Sequence, residues 1–124
     1  MDYQNVWEAE GVYRKYYGTL TGKIIREAVE KVEGDPRFDR IRYVLNDYLD
    51  NTDMNVTESE LKAIAAIDSI ASITNKNIKI AQVTTHQDII DLVTRYDNRL
   101  EENTYQTRVF SNLADARQWL AEES

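Results

Sequence analysis

The sequence predicts one α/β domain built on a mixed, mainly parallel five-stranded sheet packed by about four helices. Three observations carry this prediction. Short runs rich in Val, Ile and aromatics alternate with segments of helical periodicity, matching cap signatures open helices after such runs, and no linker, repeat or like-charge block divides residues 1–124. One domain over the whole chain is the reading.

Tyr3–Ala9 and Val12–Tyr17 are rich in Val and aromatics and meet at Glu10-Gly11, the pattern of two antiparallel strands joined by a tight turn. Alternation puts Tyr13, Lys15 and Tyr17 on one face and Tyr16 on the other. Thr19 or Thr21 caps a helix in which Ile25, Ala28, Val29 and Val32 recur at helical spacing, and Gly34-Asp35-Pro36 stops it. Ile41–Leu45 is an apolar run without alternation, as expected of a strand covered on both faces. A polar loop, Asn46–Val56, then leads to the capping box Thr57-Glu58-Ser59-Glu60 and a helix to about Thr74.

Ile78–Val83 is the next strand, and Thr85-His86-Gln87-Asp88 reads as a second capping box. Its helix places Ile89, Leu92, Val93, Tyr96 and Leu100 on one narrow face. Thr107–Phe110 is the last strand, and Asn112 caps a terminal helix with Leu113, Ala116, Trp119 and Leu120 inward. The order is ββαβαβαβα.

Composition narrows the function classes. Fifteen Lys and Arg stand against 22 Asp and Glu, so the net charge of −7 repels nucleic acid and anionic membrane surfaces. The chain has no Cys, which removes disulfides, thiolate metal sites and thiol catalysis. Residues 1–10 show no basic and apolar leader pattern, and the longest nearly apolar stretch, Ala63–Ile73, is interrupted by Asp68 and Ser69. A cytoplasmic location is the expectation.

The strings GVYRKYYGTLTG, GDPRFDRIRYVLNDY, IAAIDSIASITN and TRVFSNLADARQWL, spread from Gly11 to Leu120, resemble an uncharacterised group of small bacterial proteins with the STAS-like (anti-sigma-factor-antagonist-like, SpoIIAA-like) fold. The resemblance implies a sheet packed by helices from successive β-α turns. It also implies a protein-interaction role, since in the antagonists the helix after the central strand is part of the partner-facing side. There a Ser or Thr opening that helix is phosphorylated in an Asp-Ser-Ser/Thr-Gly context; the matching place here is Asn55-Val56-Thr57-Glu58-Ser59-Glu60, without that string. Thr57 and Ser59 are the candidate phosphorylation sites.

The helix after Thr57 divides into an arc of Ile64, Ile67, Ile70, Ile73, Ala63, Ala66 and Ala71, assigned to the core, and an opposite side of Leu61, Ala65, Asp68, Ser69 and Ser72. The opposite side is low in relief and lets another helix approach. Thr57, Glu58, Leu61, Ala65 and Asp68 are therefore the candidate partner-binding residues. Asp47, Asp50 and Asp53 lie three apart near Glu58, but their spacing matches no calcium loop and no Gly turns the chain, so no metal is expected. His86 is the lone histidine and has no triad partner in sequence. No phosphate loop or nucleophile elbow is present, and neither a catalytic residue nor a cofactor is expected.

The leading expectation is a non-enzymatic regulatory domain that binds a partner protein or a second copy of itself as a homodimer. The alternative is a carrier or sensor of a small apolar or lipid-like ligand, held under the Tyr-rich hairpin and lined by Tyr13, Tyr16, Tyr17, Tyr43, Tyr48, Tyr96 and Tyr105 with Trp7 and Trp119. An enzyme without a recognisable motif is third.

Overall fold

The computed structural model describes residues 2–100 and 105–122. Strands β1 (Tyr3–Trp7), β2 (Gly11–Thr21), β3 (Tyr43–Asn55), β4 (Lys79–Val83) and β5 (Gln106–Phe110) lie side by side in sequence order. β1 and β2 form the antiparallel hairpin and every other neighbouring pair is parallel. Crossovers of one hand between sequential parallel strands place their helices on one face. Helices α1 (Gly22–Glu33), α2 (Glu58–Thr74) and α3 (Gln87–Arg99) accordingly pack against one another there, while α4 (Leu113–Ala121) packs across β3, β4 and β5. The ββαβαβαβα order, the mixed sheet and the four helices match the sequence-based expectation.

Local chemistry explains most helix boundaries. Thr21 accepts a hydrogen bond from the Ile24 N–H at 3.2 Å and opens α1. The first capping box is complete: Thr57 Oγ1 accepts from the Glu60 N–H at 3.1 Å, and Glu60 Oε1 accepts from the Thr57 N–H at 2.9 Å. Gly22 lets α1 approach this box, since a Cβ there would meet Glu60 Cδ at 2.5 Å. Asn112 caps α4 by accepting from the Asp115 N–H at 2.8 Å. A 3₁₀ turn, Pro36–Arg40, follows α1, and Asn75 ties the end of α2 to it by donating to the Phe38 and Ile41 carbonyls at 2.8 and 2.9 Å.

Two expectations are corrected. Asn46–Val56 is not a loop, because β3 runs on to Asn55 beside a β2 that itself runs to Thr21, with register shifts after Lys15 and Gly18. The turn-like residues there find partners across the sheet instead. Asn51, for example, donates to the Gly18 carbonyl at 3.0 Å, where Gly18 takes a positive φ of 62°. The second capping box does not form: His86 is the N-cap of α3, without a side-chain cap, and Thr84 rather than Thr85 uses its hydroxyl locally by accepting from the His86 N–H at 3.1 Å.

Thr57→Ala removes one half of a reciprocal cap and should lower unfolding free energy by about 1 kcal/mol in urea titrations. Ser59→Ala, whose side chain makes none of these cap bonds, should change it by less than about 0.5 kcal/mol. Equal losses in the two variants would show that the box does not hold the helix end.

Candidate functional site

Strand alternation delivers an unusual row of side chains to the sheet face that α1, α2 and α3 cover. Asn5, Arg14, Asn46 and Gln82 are register partners on four consecutive strands. They are joined in a line: Arg14 Nε donates to Asn5 Oδ1 at 2.8 Å, Arg14 Nη1 to Asn46 Oδ1 at 3.3 Å, and Asn46 Nδ2 to Gln82 Oε1 at 3.0 Å. Tyr48 adds a 2.8 Å bond to the same Gln82 oxygen, and its ring stacks on Tyr16 with centroids 5.2 Å apart. Apolar residues flank the row on both sides, Val12, Val44 and Ile80 on one and Tyr16 and Tyr48 on the other.

The covering helices set carboxyl groups over this row. Asp68 of α2 is buried and accepts from the Tyr96 hydroxyl of α3. Glu33, at the end of α1, is pushed up to about 10, first by burial, then by its hydrogen bond to Asp68 and the charge of Asp68, while Arg14 pulls the other way. Glu33 therefore holds its proton at neutral pH, beside Asp68 and within the field of the Arg14 guanidinium. Burial also raises the Tyr16, Tyr48, Tyr96 and Tyr105 hydroxyls, which stay protonated.

These groups border a cavity of about 60 Å³ between sheet and helices, walled otherwise by aliphatic side chains and Phe38. At about 10–15 Å³ for each water-sized group, it holds roughly four to six of them, too few for an acyl chain in this conformation. Of the tyrosines expected to line a pocket, Tyr16, Tyr48, Tyr96 and Tyr105 do so. Tyr13 and Tyr43 pack with α4 on the other face, and the Tyr17 ring lies 5.8 Å from the Lys15 ammonium.

The aspartates weighed for a cation lie on β3 rather than in a loop. The Lys15 ammonium stands 3.6 Å from Asp47 and 2.9 Å from Asp50, and Tyr13 donates to Asp47, while Asp53 accepts from the Met54 N–H at 2.8 Å. No group of three metal-binding side chains exists among the described residues. His86 sits at the start of α3, with no carboxylate bonded to its ring among the described hydrogen bonds.

The facial assignment of α2 is turned rather than matched: Ile64 is buried and Ala71 packs on the core as expected, but Leu61, Ala65, Asp68 and Ser72 point into the interior too, whereas Ile70 and Ile73 are 69% and 74% exposed. Leu61 and Asp68 therefore offer no outward surface, and Ala65, nearly covered, only lines the shallow groove beside Ile70 and Ile73. Apolar residues ring the helix and leave its periodicity nearly directionless, and the inward Asp68 is satisfied by Tyr96 and Glu33, which no helical wheel reveals. Thr57 and Glu58 are at the surface: Thr57 serves the capping box, and Glu58 pairs with Arg95 at 2.9 Å and with Arg99.

The proton held by Glu33 makes a pH prediction. In the unfolded chain Glu33 loses its proton near 4.5, while in the fold it keeps it to about 10. Between those values the folded state binds the extra proton, so this contribution to stability is full below about pH 4.5 and drains away as pH rises toward 10. Glu33→Gln keeps a donor toward Asp68 and cannot ionise, so its urea midpoint should fall less from pH 5 to pH 9 than that of the wild type, on the order of the window above. Parallel pH profiles would contradict a Glu33 that keeps its proton in the fold.

No protein-family model matches the chain, and no curated protein sequence does. Among solved structures, an uncharacterized protein of the DUF3478 family from Shewanella loihica PV-4, described as having a SpoIIAA-like fold, is similar over 96% of this chain and 92% of that one, with a TM-score of 0.58 and 14% sequence identity. The chain has the SpoIIAA-like fold: a five-stranded mixed sheet with four helices, as its sequence resemblance implied.

Proposed function

We propose that the chain is a non-enzymatic regulatory domain that binds a partner protein through the outer face of α2. The observation that carries this reading is the pair Ile70 and Ile73, one turn apart and both largely exposed on a helix in a chain whose other large apolar residues are mostly covered. They border a shallow groove with Lys62, Ala66, Ser69 and Arg99. Two isoleucines and small neighbours supply only a fraction of the roughly 800 Å² per partner of a standard interface, which favours a weak, reversible contact over a stable homodimer.

Charge specifies the partner's chemistry. In a chain of net charge −7, the groove sets Lys62, and an Arg99 paired with Glu58, beside an apolar centre, so the matching surface is apolar with an acidic group opposite Lys62. A second copy of the chain would bring like cations and an overall like charge. Glu58, among the residues expected to bind a partner, joins the groove through Arg99. Thr57 and Ser59 remain the hydroxyls at this helix end where a phosphoryl group would add charge, Thr57 only by giving up its cap.

The test uses tagged protein, in-cell cross-linking and then the purified cross-linked component. Ile70→Glu with Ile73→Glu should weaken that component's binding by at least about tenfold while leaving the melting temperature within about 2 °C. Val6→Glu, at an exposed apolar position on another element, should leave binding intact. Undiminished binding by the α2 variant, or self-association in sedimentation as the sole interaction it abolishes, would overturn the proposal.

A further inference from the structure

The buried cavity carries an inference independent of the α2 face. Its polar groups fall into two sets. Arg14, Asn46, Gln82 and Tyr48 use their bonds along the sheet, on one another, on Asn5 and on the Ala28 carbonyl. The second set comes from the covering helices and the approach to β5: Glu33 closes α1, Asp68 faces in from α2, and Tyr105, immediately before β5, packs in one cluster with Val32. The charges of Asp68 and Glu33 both act on the Tyr105 hydroxyl. That hydroxyl has no hydrogen-bond partner, although Tyr105 is only 8% exposed. A buried polar group left unpaired costs free energy, so it points to an occupant of the space it borders.

The second set accepts far more than it donates. Asp68 receives one bond, from Tyr96, and none of the described ion pairs involves Asp68 or Glu33. One guanidinium, turned toward neutral acceptors, stands against two carboxyls, with Glu30 adding to the negative field on α1, and Glu33 makes up the balance by holding a proton. A ligand that brings one positive charge and its own N–H donors can replace that proton and leave the interior as neutral as before. Beside Tyr105 the wall is apolar, formed by Val32, Phe38, Ile78 and Ile80. Buried waters need about two to four polar partners each, which such a wall does not supply, so a charged head with a short hydrocarbon part suits the space better. The volume of about 60 Å³ limits it to roughly four to six non-hydrogen atoms.

We propose that this cavity binds a small primary alkylammonium ion, its N–H donors directed to Asp68, Glu33 and the Tyr105 oxygen and its alkyl part against Val32, Phe38 and Ile78. Propylammonium is of this class. Glu33, the half-buried member of the set, stands at the entrance. On binding, the Glu33 proton leaves to solvent, so one positive charge takes the place of another.

Titration calorimetry on the intact chain at about pH 8, repeated in buffers of different ionisation enthalpy, tests this with propylammonium, tetramethylammonium and n-propanol. Propylammonium should bind with release of about one proton. Tetramethylammonium, which lacks N–H donors, and n-propanol, which lacks charge, should each bind at least about tenfold more weakly. Tyr105→Phe deletes only an unpaired hydroxyl, so it should stay folded and weaken propylammonium by about tenfold. Glu33→Gln should weaken it at least as much and abolish the proton release. The proposal is overturned if folded wild type binds no propylammonium, if either comparison probe binds equally well, or if both variants bind as wild type does. None of these outcomes bears on Ile70 or Ile73, so this proposal and the partner-binding one fail separately.

Discussion

Arg14 is the constraint around which the covered side of the molecule is organised. A guanidinium in the middle of a sheet, under three helices, loses its hydration and must be returned hydrogen bonds and a counter-charge, at a desolvation cost of several kcal/mol otherwise. The sheet supplies the bonds through Asn5 and Asn46, held at the right register on either side, and Gln82 extends the line to the next strand. The helices supply the charge through the Glu33 and Asp68 pair. Each covering helix thus contributes a polar group to the centre: the Ala28 carbonyl and Glu33 from α1, Asp68 from α2 and Tyr96 from α3. Polar bonds at the centre then fix the placement that the surrounding apolar clusters stabilise.

The opposite face is fastened differently. There α4 lies on Leu45, Ala81 and Val83, and charge ties it down at its middle and at its C-terminal end. Lys79 donates to the Trp119 and Glu122 carbonyls at the C-terminal end of α4, where the helix dipole favours a cation, and its ammonium also lies 5.2 Å from the centre of the Trp119 ring. Arg117 grips Glu8 with two bonds, at 2.6 and 2.8 Å, and Tyr43 donates to the same carboxylate. Arg117 holds Glu8 below the usual carboxylate range, and burial first, then the hydrogen bond and charge of Glu8, raise the Tyr43 hydroxyl to about 12. These ties join the β1–β2 turn to the last helix, so the helices of both faces are fastened to one sheet.

What the sequence disclosed follows from how local each feature is. The Thr57 and Glu60 box, the Thr21 and Asn112 caps and the inward stripe of Ile89, Leu92, Val93 and Tyr96 depend on neighbours within a turn or two, and all are legible. The second half of β3 was not, because Asn46, Asp47 and Asn51 look like loop residues until their partners Arg14, Lys15 and Gly18 arrive from β2. The orientation of α2 failed for the same reason: Asp68 reads as a surface residue until Tyr96 and Glu33 are beside it. One signal was available in the hairpin. Alternation that sends Tyr16 inward sends Arg14 inward too, and an inward Arg demands a buried carboxylate somewhere in the chain.

The account rests on electrostatic coupling between the sheet's guanidinium and the carboxyl pair of the helices, which a double-mutant cycle in urea measures directly. Arg14→Met alone should cost about 3–5 kcal/mol, since it leaves a buried charge without compensation. The same substitution in an Asp68→Asn background should cost less by about 1–3 kcal/mol, because the charge it would have stranded is gone. Additive losses would contradict the account and leave Arg14 as a side chain that merely fills space and binds amides.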